Sequence, residues 1–494
     1  MKLYTPSLLP PQFALCLLAF ANISSGANPE DAGQIYKENC SACHGAQFEG
    51  TGLGPELSTG SYIYGGTRSD IIRVVANGVI SKGMPSFQNT LSEEQLNALA
   101  DFIPSRHLEQ TEPEESQPVP ATEPSYDVAP GEVSTLDYRV KMELVAQGLE
   151  TPWALAFADV DTILLTERAG GLRVIKKGKL HKKPVKGTPE VWINSHKWNQ
   201  GGLLDIALHP DYAKNGWVYL CYSHPLNKPQ QEQTLGMIRI VRGKVKRHAW
   251  TQQEVVFEAP LTDYNANFWH YGGRMIFDAE GFLYFSVGDR GMREQAREPG
   301  RTVGKIHRLH ANGDIPKDNP FIAQQGVLQS IYSLGLRNPQ GLAIHAGTGK
   351  LWASEHGPRG GDELNIIKPG ADFGWPVASY GINYDGTILT PNTEFEGTEQ
   401  PVIYWRPSIG VSGITFYRGN EFPFWNDKLL VTGLRYHELT LLSIHNNRVQ
   451  HKETLLNFEG RPYEPVVGPD GAIYVVTDSP GQLIRISAVK QRKI

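Results

Sequence analysis

The chain has 494 residues, 40% hydrophobic and 20% charged, with a formal net charge of −5. One hydrophobic core rarely serves that length, so two or more domains are expected. The slight acidity excludes the basic footprint of a nucleic-acid binder, and 51 glycines with 34 prolines fit a turn-rich β protein better than a helical one.

Residues 1–27 read as an address. Lys2 supplies a weak positive start, residues 13–21 form an apolar run, and Ala19-Phe20-Ala21 is a small-x-small site, with cleavage after Ala21 or Ala27. The run is too short to span a bilayer and no other stretch is apolar enough to do so. A periplasmic protein without stable membrane insertion is therefore expected. Of the four cysteines, Cys16 leaves with this segment and Cys221 sits in an apolar strand-like run as a buried thiol. No disulfide framework remains.

Residues 28–103 are predicted to form a small all-α domain. A helical stretch ends at Asn39, and a second starts at Ser92, with Gln95 three residues on as a capping box and Leu96, Leu99 and Ile103 at helical spacing. Between them lies Cys40-Ser41-Ala42-Cys43-His44, the pattern of covalent c-type haem attachment. Two thiols one helical turn apart reach the two haem vinyl groups, and His44 faces the iron. A redox disulfide or half of a zinc site is the competing reading; the adjacent His and the export segment weigh against it. Met84, 44 residues after Cys40 in a Gly/Pro-framed loop, is the candidate second axial ligand, its bland alternative being a core methionine. The segment resembles a class I cytochrome c, which implies haem c held by Cys40 and Cys43 with His44 and Met84 on the iron.

Residues 104–131 hold six prolines and six acidic residues against one arginine, a composition with little to bury, and read as a solvated linker. Residues 132–494 repeat one pattern: a short apolar strand, a turn with Asp or Gly, then a second aromatic-rich strand. The first strands are expected at 153–157, 204–208, 273–277, 341–345, 413–417 and 464–468, the second at 163–167, 218–223, 283–288, 351–355, 429–433 and 473–478. Six copies of a unit that cannot bury both faces alone point to an all-β six-bladed β-propeller.

Four blocks stand in order in this region: Gln200-Gly201-Gly202-Leu203-Leu204-Asp205, His270-Tyr271-Gly272-Gly273-Arg274, Gly335-Leu336-Arg337-Asn338-Pro339-Gln340-Gly341, and Glu355-His356-Gly357-Pro358-Arg359-Gly360-Gly361-Asp362-Glu363-Leu364-Asn365. Together they resemble the soluble quinoprotein glucose/sorbosone dehydrogenases, in particular the aldose sugar dehydrogenase branch. The resemblance implies a propeller that binds pyrroloquinoline quinone (PQQ) and calcium in a cleft on one face. PQQ carries three carboxylates and an ortho-quinone, so its site needs cations, amide donors and a metal. Arg337, Asn338 and Gln200 supply the first two, with Arg418 and Arg435 as further cationic contacts. His270 matches the family's base, which takes the proton from the sugar C1 hydroxyl. Gly357 and Pro358 would give carbonyls to the calcium at PQQ. Asp362, Glu363 and the Phe373 carbonyl resemble a second calcium site. Trp269 stands where the best-known glucose dehydrogenase has an acidic residue, so no carboxylate adjoins the base in sequence.

The expected function is oxidation of aldose sugars to lactones by hydride transfer to PQQ, with electrons passed to the attached haem and on to a periplasmic acceptor. A calcium-dependent lactonase propeller, or a non-catalytic binding propeller carrying a cytochrome, is the alternative.

Overall fold

The computed structural model describes residues 29–51, 54–57, 62, 67–80, 83–109, 131–194, 196, 199–226 and 234–489. The signal segment and residues 110–130 of the expected linker lie outside them. The chain divides into two compact units, Met1–Ser125 and Tyr126–Ile494.

The first unit is built on helices α1 (Pro29–Asn39), α2 (Ser41–His44), α3 (Arg68–Asn77) and α4 (Glu93–Glu109). The capping box forms as expected: Ser92 N–H donates to Gln95 Oε1 at 2.9 Å and Gln95 N–H to Ser92 Oγ at 3.3 Å. A second box, Thr67 with Asp70, starts α3. Ala32, Ile35 and Tyr36 of α1 pack with Leu96, Leu99 and Ile103 of α4, and Tyr36 stacks on Phe48 at 4.0 Å between centroids. Helix α4 does not stop at Ile103. It continues through Pro104 to Glu109, so composition places the start of the linker too early.

The second unit is a ring of six antiparallel sheets. The first strands of blades 1 to 6 are Pro152–Asp159, Leu203–Leu208, Gly272–Phe277, Pro339–His345, Val411–Phe416 and Arg461–Val467, each within a few residues of its sequence expectation. They touch their neighbours in a closed circle and so line the axis. Blade 6 is completed by the strand Arg139–Gln147, which pairs antiparallel with Gln482–Ala488 and joins the two ends of the ring.

One hydroxyl device recurs between blades. In the second strand, Thr166, Ser286, Ser354 and Thr432 are fully buried. Each donates to a carbonyl of the next blade's first strand: Leu204 (2.7 Å), Pro339 (3.1 Å), Ser412 (2.6 Å) and Tyr463 (2.9 Å). Nearer the axis, Arg274 of blade 3 bridges Asp205 of blade 2 (3.1 Å) and Glu464 of blade 6 (3.0 Å), and its Nε donates to the Gln340 carbonyl of blade 4 at 3.0 Å. A buried cation shared by two carboxylates offsets the cost of removing all three from water.

Because every first strand runs the same way along the axis, residues that precede a first strand or follow a second strand share one face of the ring. The pairings Gly272 with Val287, Pro339 with Glu355 and Val411 with Gly433 bring those ends together.

Candidate active site

On that face the segment before the blade 3 first strand presents His270, and the turn after the blade 3 second strand presents Asp289. The imidazole Nδ1 lies 2.7 Å from Asp289 Oδ1. A carboxylate only accepts, so Nδ1 carries the proton and Nε2 is left with its lone pair. Asp289 is fully buried and held in turn: Oδ2 accepts from Trp375 Nε1 at 2.8 Å and Oδ1 from the Gly291 amide at 2.8 Å. Burial opposes its ionisation, but His270, Arg337 and the Gly291 amide hold it below the usual carboxylate range. His270 keeps 15% of its side chain exposed. Burial first, then the Arg337 charge, pull its ionisation down to about 4 against the pull of Asp289. At neutral pH it is a neutral, oriented imidazole, the state a proton acceptor needs.

Asp289 was not legible as a partner, because it lies 19 residues from His270 and the sequence offered only Trp269 beside the base. The carboxylate comes instead from the neighbouring strand end.

The cations and amides gather around this pair. Arg337 is buried; its N–H donates to Glu355 Oε2 at 2.6 Å, and its Nη1 to the carbonyls of His356 (2.8 Å) and Gly357 (2.7 Å). Its guanidinium carbon lies 5.3 Å from the Trp375 ring centroid. Asn338 Oδ1 accepts from the Gly272 amide at 3.0 Å, and Gln200 Oε1 from the His270 amide at 2.7 Å, so both amides pin the base's own segment. Arg435 is on the same face, its Nη1 3.4 Å from the Ser408 carbonyl. Sequence reasoning missed Arg461, at the start of the blade 6 first strand. His356 is pushed down by burial, against the pull of Asp362, and then by Arg337 and Arg461 together; Arg461 opens a first strand on the same face of the ring.

Two expectations are corrected. Arg418 follows the blade 5 first strand and emerges at the opposite face, 3.6 Å from where a Cβ on Gly347 would sit and bonded to Asp427 at 2.8 Å. First strands of six or seven residues at about 3.3 Å each put it about 20 Å from His270. Asp362 does not share a cation with Glu363. Neighbours on the strand Asp362–Ile367 point to opposite sheet faces. Both Asp362 oxygens accept backbone amides, of Gly357 at 3.0 Å and Val411 at 2.9 Å, so Asp362 anchors the Gly357-Pro358 loop.

Glu363 has a different companion. Its Oε2 and Oε1 of Glu355 both take the Nδ2 of Asn365, at 3.2 and 3.1 Å, while Asn365 Oδ1 is buried without a partner. Burial, with Asp362 nearby, pushes Glu363 up to about 7, and burial, with Glu363 nearby, pushes Glu355 well above the carboxylate range. Two buried carboxylates and an orphan amide oxygen make a donor set suited to a hard cation. The Phe373 carbonyl accepts no hydrogen bond among the described residues. Among the described residues no three His, Cys, Asp or Glu side chains gather as a metal site; the Gly357 carbonyl accepts from Arg337 Nη1 at 2.7 Å and the Pro358 carbonyl from Ser408 Oγ at 3.4 Å. Arg337 Nε and Asn338 Nδ2 are buried donors without partners, and fit a ligand rich in carboxylate and carbonyl oxygens.

In the first unit, His44 Nδ1 lies 2.8 Å from the Pro55 carbonyl, which turns Nε2 away from that loop. Gly54 sits against it: a Cβ there would meet His44 Cε1 at 3.1 Å and the Cys43 carbonyl at 2.7 Å. Cys40 and Cys43 are free thiols, as is Cys221 in the propeller. Met84 pairs with Val79 across the loop and packs on the cluster that contains Cys40. Tyr62 Oη is buried without a partner. These residues fit a covalently attached haem.

The geometry defines a six-bladed propeller with an oriented imidazole beside a buried arginine on one face of the ring. Residues 149–485 match the family model described as Glucose / Sorbosone dehydrogenase, and the chain belongs to that family. Residues 27–103 match the model described as Cytochrome C oxidase, cbb3-type, subunit III, so the propeller is joined to an N-terminal cytochrome c domain. Aldose sugar dehydrogenase YliI of Escherichia coli (strain K12) is 39% identical over 70% of this chain and 93% of its own. The crystal structure of the soluble aldose sugar dehydrogenase from Escherichia coli in the apo-form superposes with a TM-score of 0.66 at 37% identity, covering 71% of this chain and 100% of that one. The PQQ-bound form of aldose sugar dehydrogenase from Streptomyces coelicolor gives 0.56 at 26% identity, over 71% and 98%. The chain is thus a PQQ-dependent sugar dehydrogenase by family, an oxidoreductase.

Proposed function

We propose that the propeller oxidises aldose sugars at C1 to the corresponding lactones, and that the electrons pass to the c-type haem of the same chain and on to a periplasmic acceptor. The observation that carries this reading is the Nδ1–H of His270 bound to buried Asp289, with Nε2 left for the substrate beside the Arg337 charge.

PQQ, when bound, supplies a two-electron hydride acceptor, and haem a one-electron one. Nε2 of His270 takes the proton of the C1 hydroxyl while the C1 hydride leaves, so C1 and O1 become a carbonyl and two electrons leave the sugar. Asp289 stabilises the imidazolium so formed. Arg337, Asn338 and Gln200 would hold PQQ, with Gly357 and Pro358 on its calcium. Glu363 and Glu355, with the Phe373 carbonyl, would hold a second calcium. Cys40, Cys43, His44 and Met84 would hold the haem. Two modules on one chain raise each other's effective concentration. No helix among the described residues is long and apolar enough to cross a membrane; the apolar run at residues 13–21 supports export to the periplasm.

The test is the visible spectrum of the full-length protein. Reduced haem bands should appear only when PQQ, calcium and an aldose are all present, and His270→Ala should abolish them. Haem that stays oxidised under those conditions, yet yields to dithionite, would overturn the reading and bring forward the lactonase or binding alternative.

A further inference from the structure

The turn that supplies Asp289 carries a second charged residue. Arg290 is fully buried, yet its hydrogen bonds go to backbone carbonyls and none to a carboxylate. Its Nη1 donates to the carbonyl of Trp269, and its Nη2 to those of Asn267 and Gly236, the last at 3.3 Å. The guanidinium lies 3.5 Å from the Tyr271 ring centroid. Its backbone N–H donates to the His270 carbonyl at 3.3 Å, and its own carbonyl accepts from Asn267 Nδ2 at 2.7 Å. All but one of these contacts fall on residues 267–271, on either side of His270.

Burying a guanidinium that makes no ion pair is costly; here burial pulls its ionisation down to about 10 against the pull of Tyr271 and Asp289, which still leaves it charged at neutral pH. Only a planar fork with a stacking face makes these contacts at once; an ammonium reaches fewer carbonyls and offers no face. The backbone around it is strained as well. His270 and Arg290 have φ of +54° and +52°, a left-handed region that a side-chain-bearing residue keeps only where its surroundings over-determine it.

We propose that Arg290 is a positioning residue: by clamping the carbonyls of Asn267 and Trp269 and the ring of Tyr271, it holds the His270 imidazole at the angle that Asp289 and the substrate require. The inference rests on His270 being the base. Asp289 fixes the ring and Arg290 fixes the peptide planes that carry it, so one turn sets both.

The experiment compares Arg290→Gln and Arg290→Lys with the parent in the full chain loaded with PQQ and calcium, using an aldose and a dye acceptor. Both variants should lose about 10- to 100-fold in kcat, the range expected of a sub-ångström to 1 Å misplacement, with the sugar KM changed less than about threefold. Lys, which keeps the charge but not the fork or the face, should not rescue. The net effect of the surroundings on the imidazole is downward, so a loosened ring reverts toward its ordinary value. The acid limb of kcat/KM should therefore move up, and so should the His270 titration followed by NMR in histidine-labelled apoprotein.

A kcat within twofold of the parent overturns the proposal. So does a loss that merely tracks the fraction folded while the limb and the titration stay put. His270→Gln is the control: if it retains activity, the base assignment itself fails, whereas an inactive His270→Gln beside Arg290 variants with the parent's limb sinks only the positioning role. Should neither Arg290 variant fold, Tyr271→Leu removes the stacking face and must move the same limb, and an unmoved limb counts against the proposal.

Discussion

Replacing Asp289 with Asn tests the centre of the site, because it preserves shape and removes charge. The carboxylate oxygen stands 2.7 Å from Nδ1, so when the imidazole takes a proton the two unit charges are about 4 Å apart between centres. At an effective dielectric of about 20 that attraction is about 4 kcal/mol, which corresponds to about a thousandfold in rate. The Asn amide cannot satisfy every neighbour. With its oxygen toward His270 and Gly291, its NH2 meets the Trp375 Nε1–H donor; turned over, it meets the Gly291 amide and forces the proton onto Nε2, where the base needs a lone pair. Asp289→Asn should therefore lower kcat for aldose oxidation about a thousandfold with little change in KM, measured with a dye acceptor in PQQ- and calcium-loaded protein. The parent's kcat/KM should hold level down to about pH 5, because His270 ionises only at about 4. A variant within fivefold of the parent's kcat would refute the idea that buried charge on Asp289 drives the base.

Arg274→Met leaves Asp205 and Glu464 facing each other in the core and should cost about 3–5 kcal/mol in a denaturant melt of the propeller; a loss below about 1 kcal/mol would mean the axis does not depend on the bridge. Glu363 is raised to about 7 in the fold, so its contribution is present below about pH 4.5 and is lost as pH rises through 7. Calcium-free protein should accordingly melt lower at pH 8 than at pH 5.5. Added calcium should raise the melting point more at pH 8 than at pH 5.5, and Glu363→Gln should shrink both effects; equal calcium shifts at the two pH values would count against a cation at Glu363. Arg418→Ala, which removes an exposed ion pair on the far face, should leave PQQ titrations within about twofold of the parent, whereas Arg461→Ala should weaken them about tenfold. The reverse order would restore the sequence-based placement of Arg418.

The Cys40, Cys43 and His44 cluster was open to reading in sequence because it is local: the three lie within about one helical turn, where spacing fixes direction. The blades were legible for the same reason, since alternation and turn chemistry act over a few residues, and six first strands were placed to within a few positions. Helix α4 ran past Pro104 because a run of acidic and proline residues marks poor burial, not the end of hydrogen bonding.

Part of what was missed was available. Site residues either precede or open a first strand, as Gln200, His270, Arg337 and Arg461 do, or follow a second strand, as Asp289, Gly357 and Arg435 do. Arg418 follows a first strand, and strand direction alone assigns it to the other face. Likewise, alternation alone separates Asp362 from Glu363. What sequence could not decide is which strand ends meet. The Asp289 partnership with His270, the convergence of Glu355 with Glu363 on Asn365, and the Arg290 clamp all join residues through the register between strands. That register is set by the strand pairings within blades 3 and 4, Gly272 against Val287 and Glu355 against Glu363, which local periodicity alone does not encode.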